Sequence, residues 1–159
     1  MPIVTPSVIS TDTRFGKASD FVSEIEKITG NKIISSLTAA EPLGPKNLVD
    51  IMIIAPCTGN TLAKLANAIT DNAVLLTAKS LARNNKPLVI GVSSNDALGQ
   101  NMSNLARLMN TKNTYFVPMR QDDSENKPKS LVAVWDYIEQ TLILAKENKQ
   151  IQPVLISKN

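Results

Sequence analysis

The chain has 159 residues, 43% apolar and 19% charged, and 17 Lys and Arg against 14 Asp and Glu leave a formal charge of +3 with no histidine. That composition suits one domain with its own core. It excludes a disordered polyelectrolyte, a membrane span (no apolar run nears the ~20 residues required) and a basic, aromatic-rich nucleic-acid surface.

Short β-branched apolar runs alternate with helical periods, the pattern of parallel βα units. Strands are predicted over residues 3–9, 49–55, 88–92 and 114–118. The second and third are apolar without alternation, as expected of strands buried on both faces. The first helix carries Phe21, Ile25 and Ile28 on one face and is terminated by Gly30. Leu62, Leu65, Ala66 and Ile69 mark a second helix. Val74, Ala78 and Leu81 mark a third, ending at Asn84-Asn85 ahead of Pro87, and Leu105, Leu108 and Met109 a fourth. A last helix, opened by Ser130 after Pro128, aligns Leu131, Trp135, Ile138 and Leu142, which places Trp135 in the core. Residues 41–47 read as a turn-rich loop and 120–129 as a mobile polar surface loop. Residues 151–157 read as an edge strand, the place that tolerates Pro153.

The fold class expected is α/β, a three-layer doubly wound parallel sheet in a single domain. Such domains open with a strand and a phosphate-cradling loop, yet no Gly-x-Gly-x-x-Gly or Walker-type sequence occurs here. In a 2-1-3-4-5 strand order, the strand between the first two seen here would be missing. Either the order differs, a partner fills the gap, or the start is internal to a longer parent. The last is the expectation, a first βα unit being absent.

The absence of histidine removes Ser-His-Asp and Cys-His catalysis and histidine-ligated zinc. The lone Cys57 cannot close an internal disulfide, which points to a cytoplasmic protein. Chemistry is expected where buried strands end in small and polar residues facing a helix N-terminus. Pro56, Cys57, Thr58, Gly59, Asn60 and Thr61 form one such segment, and Ser93, Ser94, Asn95 and Asp96 would lie beside it on the same rim. Thr58 and Asn60 suit a cap or a ligand, and Asp96 a turn or cap. Cys57 stands where a helix N-terminus lowers a thiol pKa. In the segment Thr11–Gly16, Asp12 and Arg14 could pair or face a polar ligand. Arg14, Arg107 and Arg120 are candidate carboxylate clamps. Two adjacent carboxylates, Asp122 and Asp123, are too little for a metal site.

APCTGNTLAKLANAITDN resembles the flavin decarboxylase-like flavoproteins. Together with TDTRFG, AEPLGPK, NDALGQN, NLARLMNTKN and FVPMRQDD it resembles more closely the family of dipicolinate synthase B subunits, over essentially the whole chain. The resemblance implies a flavodoxin-like, Rossmann-like flavoprotein fold lacking its N-terminal strand, phosphate loop and first helix. It implies a part in oxidising dihydrodipicolinate to dipicolinate (pyridine-2,6-dicarboxylate) during sporulation. The partner implied is a nicotinamide-dependent A subunit that carries NADP(H) or NAD(H), in a homo- or hetero-oligomer in the mother-cell cytoplasm. FMN is the cofactor implied for this chain. Thr11, Thr13, Phe15, Pro56, Cys57, Thr58, Asn60, Thr61, Ser93, Ser94 and Asn95 are then its candidate contacts, with Arg14, Asp96 and Arg107 candidates for the substrate. No catalytic residue is assigned. Alternatives are a non-catalytic stabilising subunit or an independent FMN-dependent decarboxylase. The decarboxylases' histidine and Pro-x-Met-Asn clamp are absent, which disfavours the latter.

Overall fold

Three parallel strands organise the middle of the chain. In the computed structural model, which describes residues 1–157, β1 (Met52–Cys57), β2 (Leu88–Ser94) and β3 (Thr114–Phe116) lie side by side with β2 central. Register sets Ile53 against Val89, and Val89 against Tyr115. Side chains alternate across the sheet. Leu88, Ile90 and Val92 therefore join Met52, Ile54 and Phe116 in one core, while Val89 joins Tyr115 and Val117 in another. Leu62, Val74, Ala78, Leu81, Leu105 and Leu108 cover the first core from α4 (Gly59–Ala66), α5 (Ala73–Arg83) and α6 (Met102–Met109). Ala145, Ile138 and Leu142 cover the second from α7 (Ile138–Lys146). Helices lie on both faces, so the architecture is the three-layer doubly wound α/β one, and the continuous apolarity of β2 follows from it.

The last two residues of β2 change partner. Ser93 and Ser94 pair antiparallel with Val132 and Leu131 of β5 (Leu131–Ala133), which in turn pairs with β4 (Met119–Arg120). The C-terminal segment adds to that edge. Met119 N–H donates to Val154 O at 2.9 Å, and Ile156 N–H donates to Met119 O at 3.0 Å. Pro153 thus sits beside an edge pairing, as its missing donor requires.

Five local expectations are corrected. Residues 3–9 are not a strand: Ile3 makes one parallel bridge, to Ile34, and Pro6–Ser10 form the short helix α1. Pro6 stands at the head of that helix, where its fixed φ and missing N–H favour a helical start. The last helix does not begin at Ser130. Leu131 and Ala133 are buried with Val132 between them half-buried, a two-residue period that β2 and β4 capture, and α7 starts at Ile138. Trp135 is 41% exposed, lying over Gly91, where a Cβ would come within 2.8 Å of its ring. The second helix stops at Ala66, leaving Ile69 exposed beyond it, and Met109 at the end of α6 is exposed too. Finally, the apolar face of α2 (Ala18–Thr29) is not core: Phe21 is 38% and Ile28 75% exposed.

The predicted stops hold. Gly30 takes φ 64° and its N–H donates to Glu26 O, closing α2, while Asn84 and Asn85 (φ 53°) end α5. Residues 41–47 form a short 3-10 turn and bends after α3 (Leu37–Ala40).

Candidate functional site

Parallel strands that end together place their following loops together. The rim at the carboxyl ends of β1 and β2 is built this way. Thr58 is the N-cap of α4: its extended backbone carries the chain out of β1, its carbonyl accepts from Leu62 N–H at 2.9 Å, and its Oγ1 accepts from Thr61 N–H at 3.4 Å. The next residue must be small. A Cβ on Gly59 would stand 2.7 Å from Ser94 Oγ and 2.9 Å from Asn101 Nδ2, so the two rim loops meet over bare backbone. Pro56, Thr58, Asn60 and Asn95 are exposed, Ser93 and Ser94 half-buried, and Thr61 buried. The two segments predicted to share a rim do share it.

Asp96 behaves as a turn residue. Its Oδ1 accepts from Gln100 N–H at 3.1 Å, its Oδ2 from Asn101 Nδ2 at 3.5 Å, and its own N–H donates to Ser94 Oγ at 3.2 Å. From there a ladder of amides descends between α4 and α6. Asn104 Nδ2 donates to Asn101 Oδ1 at 3.0 Å, Asn67 Nδ2 to Asn104 Oδ1 at 3.2 Å, and Arg107 Nη1 to Asn67 Oδ1 at 3.1 Å and Ala66 O at 3.0 Å. Asn101 and Asn104 were missed as site residues. The signal was the spacing of Asn101, Asn104 and Arg107 by threes, which puts them on one helix face.

The ladder ends at Arg107, whose guanidinium closes the C-terminal end of α4. The guanidinium of Arg14 stacks 4.7 Å from the centroid of the Phe15 ring, which is 75% exposed. Asp12 does not pair with Arg14, because its Oδ1 accepts from Ala18 N–H at 2.8 Å ahead of α2. Thr13 and Gly16 exchange backbone bonds, and Thr13 Oγ1 accepts from Phe15 N–H. The hydrogen bonds of Thr11, Thr13 and Phe15 therefore stay within the N-terminal segment. Arg120 lies on β4, paired with Val132. Cys57 is corrected in sign: it is fully buried, and burial pushes its thiol up to about 12, overriding the helix end.

One further element reaches the rim. The chain between β4 and β5 folds back over it, Leu98 N–H donating to Lys129 O at 2.9 Å. A cleft of about 370 Å3 opens there, lined by Asn95, Asn126, Lys127, Pro128 and Lys129.

This rim of hydroxyls and amides stands on a buried parallel sheet with helices on both faces, and the flavoprotein family model matches residues 7–143: the chain belongs to that family. The crystal structure of the dipicolinate synthase B subunit from Bacillus halodurans C superposes with a TM-score of 0.90 at 50% identity, covering 99% of this chain and 81% of that one. The dipicolinate synthase B subunit of Bacillus subtilis (strain 168) is 53% identical over 155 residues, 98% of this chain and 78% of that protein. Within the flavoproteins, then, the chain belongs to the family of dipicolinate synthase B subunits. The FMN-dependent cysteine decarboxylase SpaF is more distant, with a TM-score of 0.58 and 26% identity over 78% of this chain and 71% of that one.

The rim's donor set fits the heteroatom edge of a flavin ring. Asn60 and Asn95 amides and Ser93 and Ser94 hydroxyls can each give or accept a hydrogen bond.

Proposed function

We propose that this chain works as the B subunit of a dipicolinate synthase, oxidising dihydrodipicolinate to dipicolinate together with a nicotinamide-dependent A subunit in the cytoplasm of a sporulating mother cell. The observation that carries the reading is likeness to a dipicolinate synthase B subunit across 98% of the chain, with both rim loops inside the matched length. The reaction removes two hydrogens from a dihydropyridine, a hydride passing to the partner's NAD or NADP and a proton leaving. Aromatisation favours the product, so the protein's task is to position the ring against the acceptor.

The rim suits that task. Ser93, Ser94, Asn60 and Asn95 offer directional hydrogen bonds. The one carboxylate of the second rim loop, Asp96, turns its oxygens to Gln100 and Asn101. A flavin held along the same edge would supply a second hydride-carrying ring.

Reconstitution tests the reading. The chain is mixed with the nicotinamide-dependent partner, and dipicolinate formation is followed with and without added FMN. Formation by the pair well above that of the partner on its own is expected. A partner that reaches the full rate by itself refutes it. Stimulation that survives loss of the rim groups Ser94 and Asn60 moves the chain to a stabilising, non-catalytic role.

A further inference from the structure

Apart from Asn95, the cleft beside the rim is lined by groups that the flavin-edge reading does not use. Lys127 and Lys129 flank Pro128, and the amides of Asn95 and Asn126 stand with them. The cleft is about 370 Å3 and opens broadly to solvent.

Its cations are presented by a braced turn. Asp123 Oδ1 accepts from Asn126 N–H at 3.0 Å and Asp123 O from Lys127 N–H at 2.8 Å. Lys127 O accepts from Ser130 N–H at 3.0 Å, Gln121 Nε2 donates to Pro128 O at 2.9 Å, and Lys129 O is held by Leu98. The stem of Lys129 runs across Gly99, where a Cβ would meet its Cδ at 3.1 Å. Among the described residues Lys129 has no ion-pair partner. Lys127 has Asp122 at 3.3 Å, an exposed pair that contributes little and yields to a better ligand. Two lysines two residues apart offer two separate cations, which suits two separated carboxylates better than one compact anion, and the neighbouring amides can hydrogen-bond the carboxylate oxygens.

We propose that this cleft anchors a small planar dicarboxylate, Lys127 and Lys129 each taking one carboxylate while Asn95 joins the anchor to the rim. The proposal rests on the synthase reading for the identity of the ligand. It replaces the arginine clamps expected from sequence with lysines of the β4–β5 loop.

Calorimetric titration of the full chain with pyridine-2,6-dicarboxylate, pyridine-2-carboxylate and inorganic phosphate tests it, in the wild type and in Lys127→Met, Lys129→Met and the double variant. Lys46→Met controls for loss of a positive charge elsewhere. The dicarboxylate should bind at least about tenfold more tightly than the monocarboxylate or phosphate. Each cleft lysine removed should weaken it about fivefold or more, with the control unchanged and wild-type affinity falling as salt is raised. The anchor is overturned if the dicarboxylate does not bind, if phosphate binds as well, if the double variant binds like wild type, or if Lys46→Met weakens binding equally. The two ideas fail separately. A chain that stimulates dipicolinate formation but binds through other residues keeps the synthase reading and loses the anchor. One that binds through these lysines but adds nothing to its partner's rate does the reverse.

Discussion

Cys57 ends β1 directly before the N-cap of α4, where two physical effects oppose each other. The helix start favours a thiolate; complete burial disfavours it and wins, raising the thiol from its ordinary 9.0 to about 12. At about pH 8 a thiol of ordinary pKa is about one-tenth ionised, whereas one near 12 is ionised in about one molecule in ten thousand, a loss of about a thousandfold in reactive species. Alkylation with iodoacetamide at that pH, native against guanidinium-unfolded, reads this directly. Native labelling should be slower by at least that factor, since burial also blocks approach. The pH dependence has a definite sign. The folded state holds the proton more tightly than the unfolded one, so this contribution is whole below about 9 and is lost as pH rises from about 9 towards about 12. Native labelling within tenfold of the unfolded rate would refute the dominance of burial and restore Cys57 as a candidate nucleophile.

Three further outcomes follow from the same geometry. Asn72, buried at the N-cap of α5, accepts from Leu75 N–H at 3.1 Å; Asn72→Ala should cost about 1–2 kcal/mol and lower the melting temperature by about 2–8 °C, with Asn72→Ser recovering much of it. Arg107→Met removes two bonds to the end of α4 but leaves groups that water reaches, so a smaller drop of about 2–4 °C is expected in the same scan. Gly59→Ala should lower thermal stability and Ser94→Gly in that background should recover part of the loss; strictly additive effects would show that the rim loops do not touch there.

The central sheet was legible because buried parallel strands leave continuous apolar runs, and VDIMIIAP and KPLVIGVSS carry no competing signal. The helix ends were legible at Gly30 and at Asn84-Asn85, residues that tolerate the left-handed turn. The misreadings share a cause. Residues 131–142 place apolar side chains at helical intervals, yet Leu131–Ala133 is taken by the open end of β2, a partner 37 residues away that a local period cannot report. At the site, the two rim loops could be read from strand ends and helix starts. The amide ladder and the folded-back lysine turn could not, because they depend on tertiary contacts. A guanidinium's chemistry marks an arginine as a carboxylate clamp without reporting its neighbours: Arg14 stacks on Phe15 and Arg107 bonds a helix end.

The change of partner along β2 gives the rim a dependence on chain completion. Met52–Cys57, Leu88–Ser94 and Thr114–Phe116 can pair as soon as residue 116 is available, but Ser93 and Ser94 acquire their sheet partners only when residues 131–133 return. A chain ending between those points would lack both the brace on its rim and the α7 cover of the sheet's second face. The parallel pairings and the brace on the rim therefore rest on different stretches of chain, and only the brace needs residues 131–133.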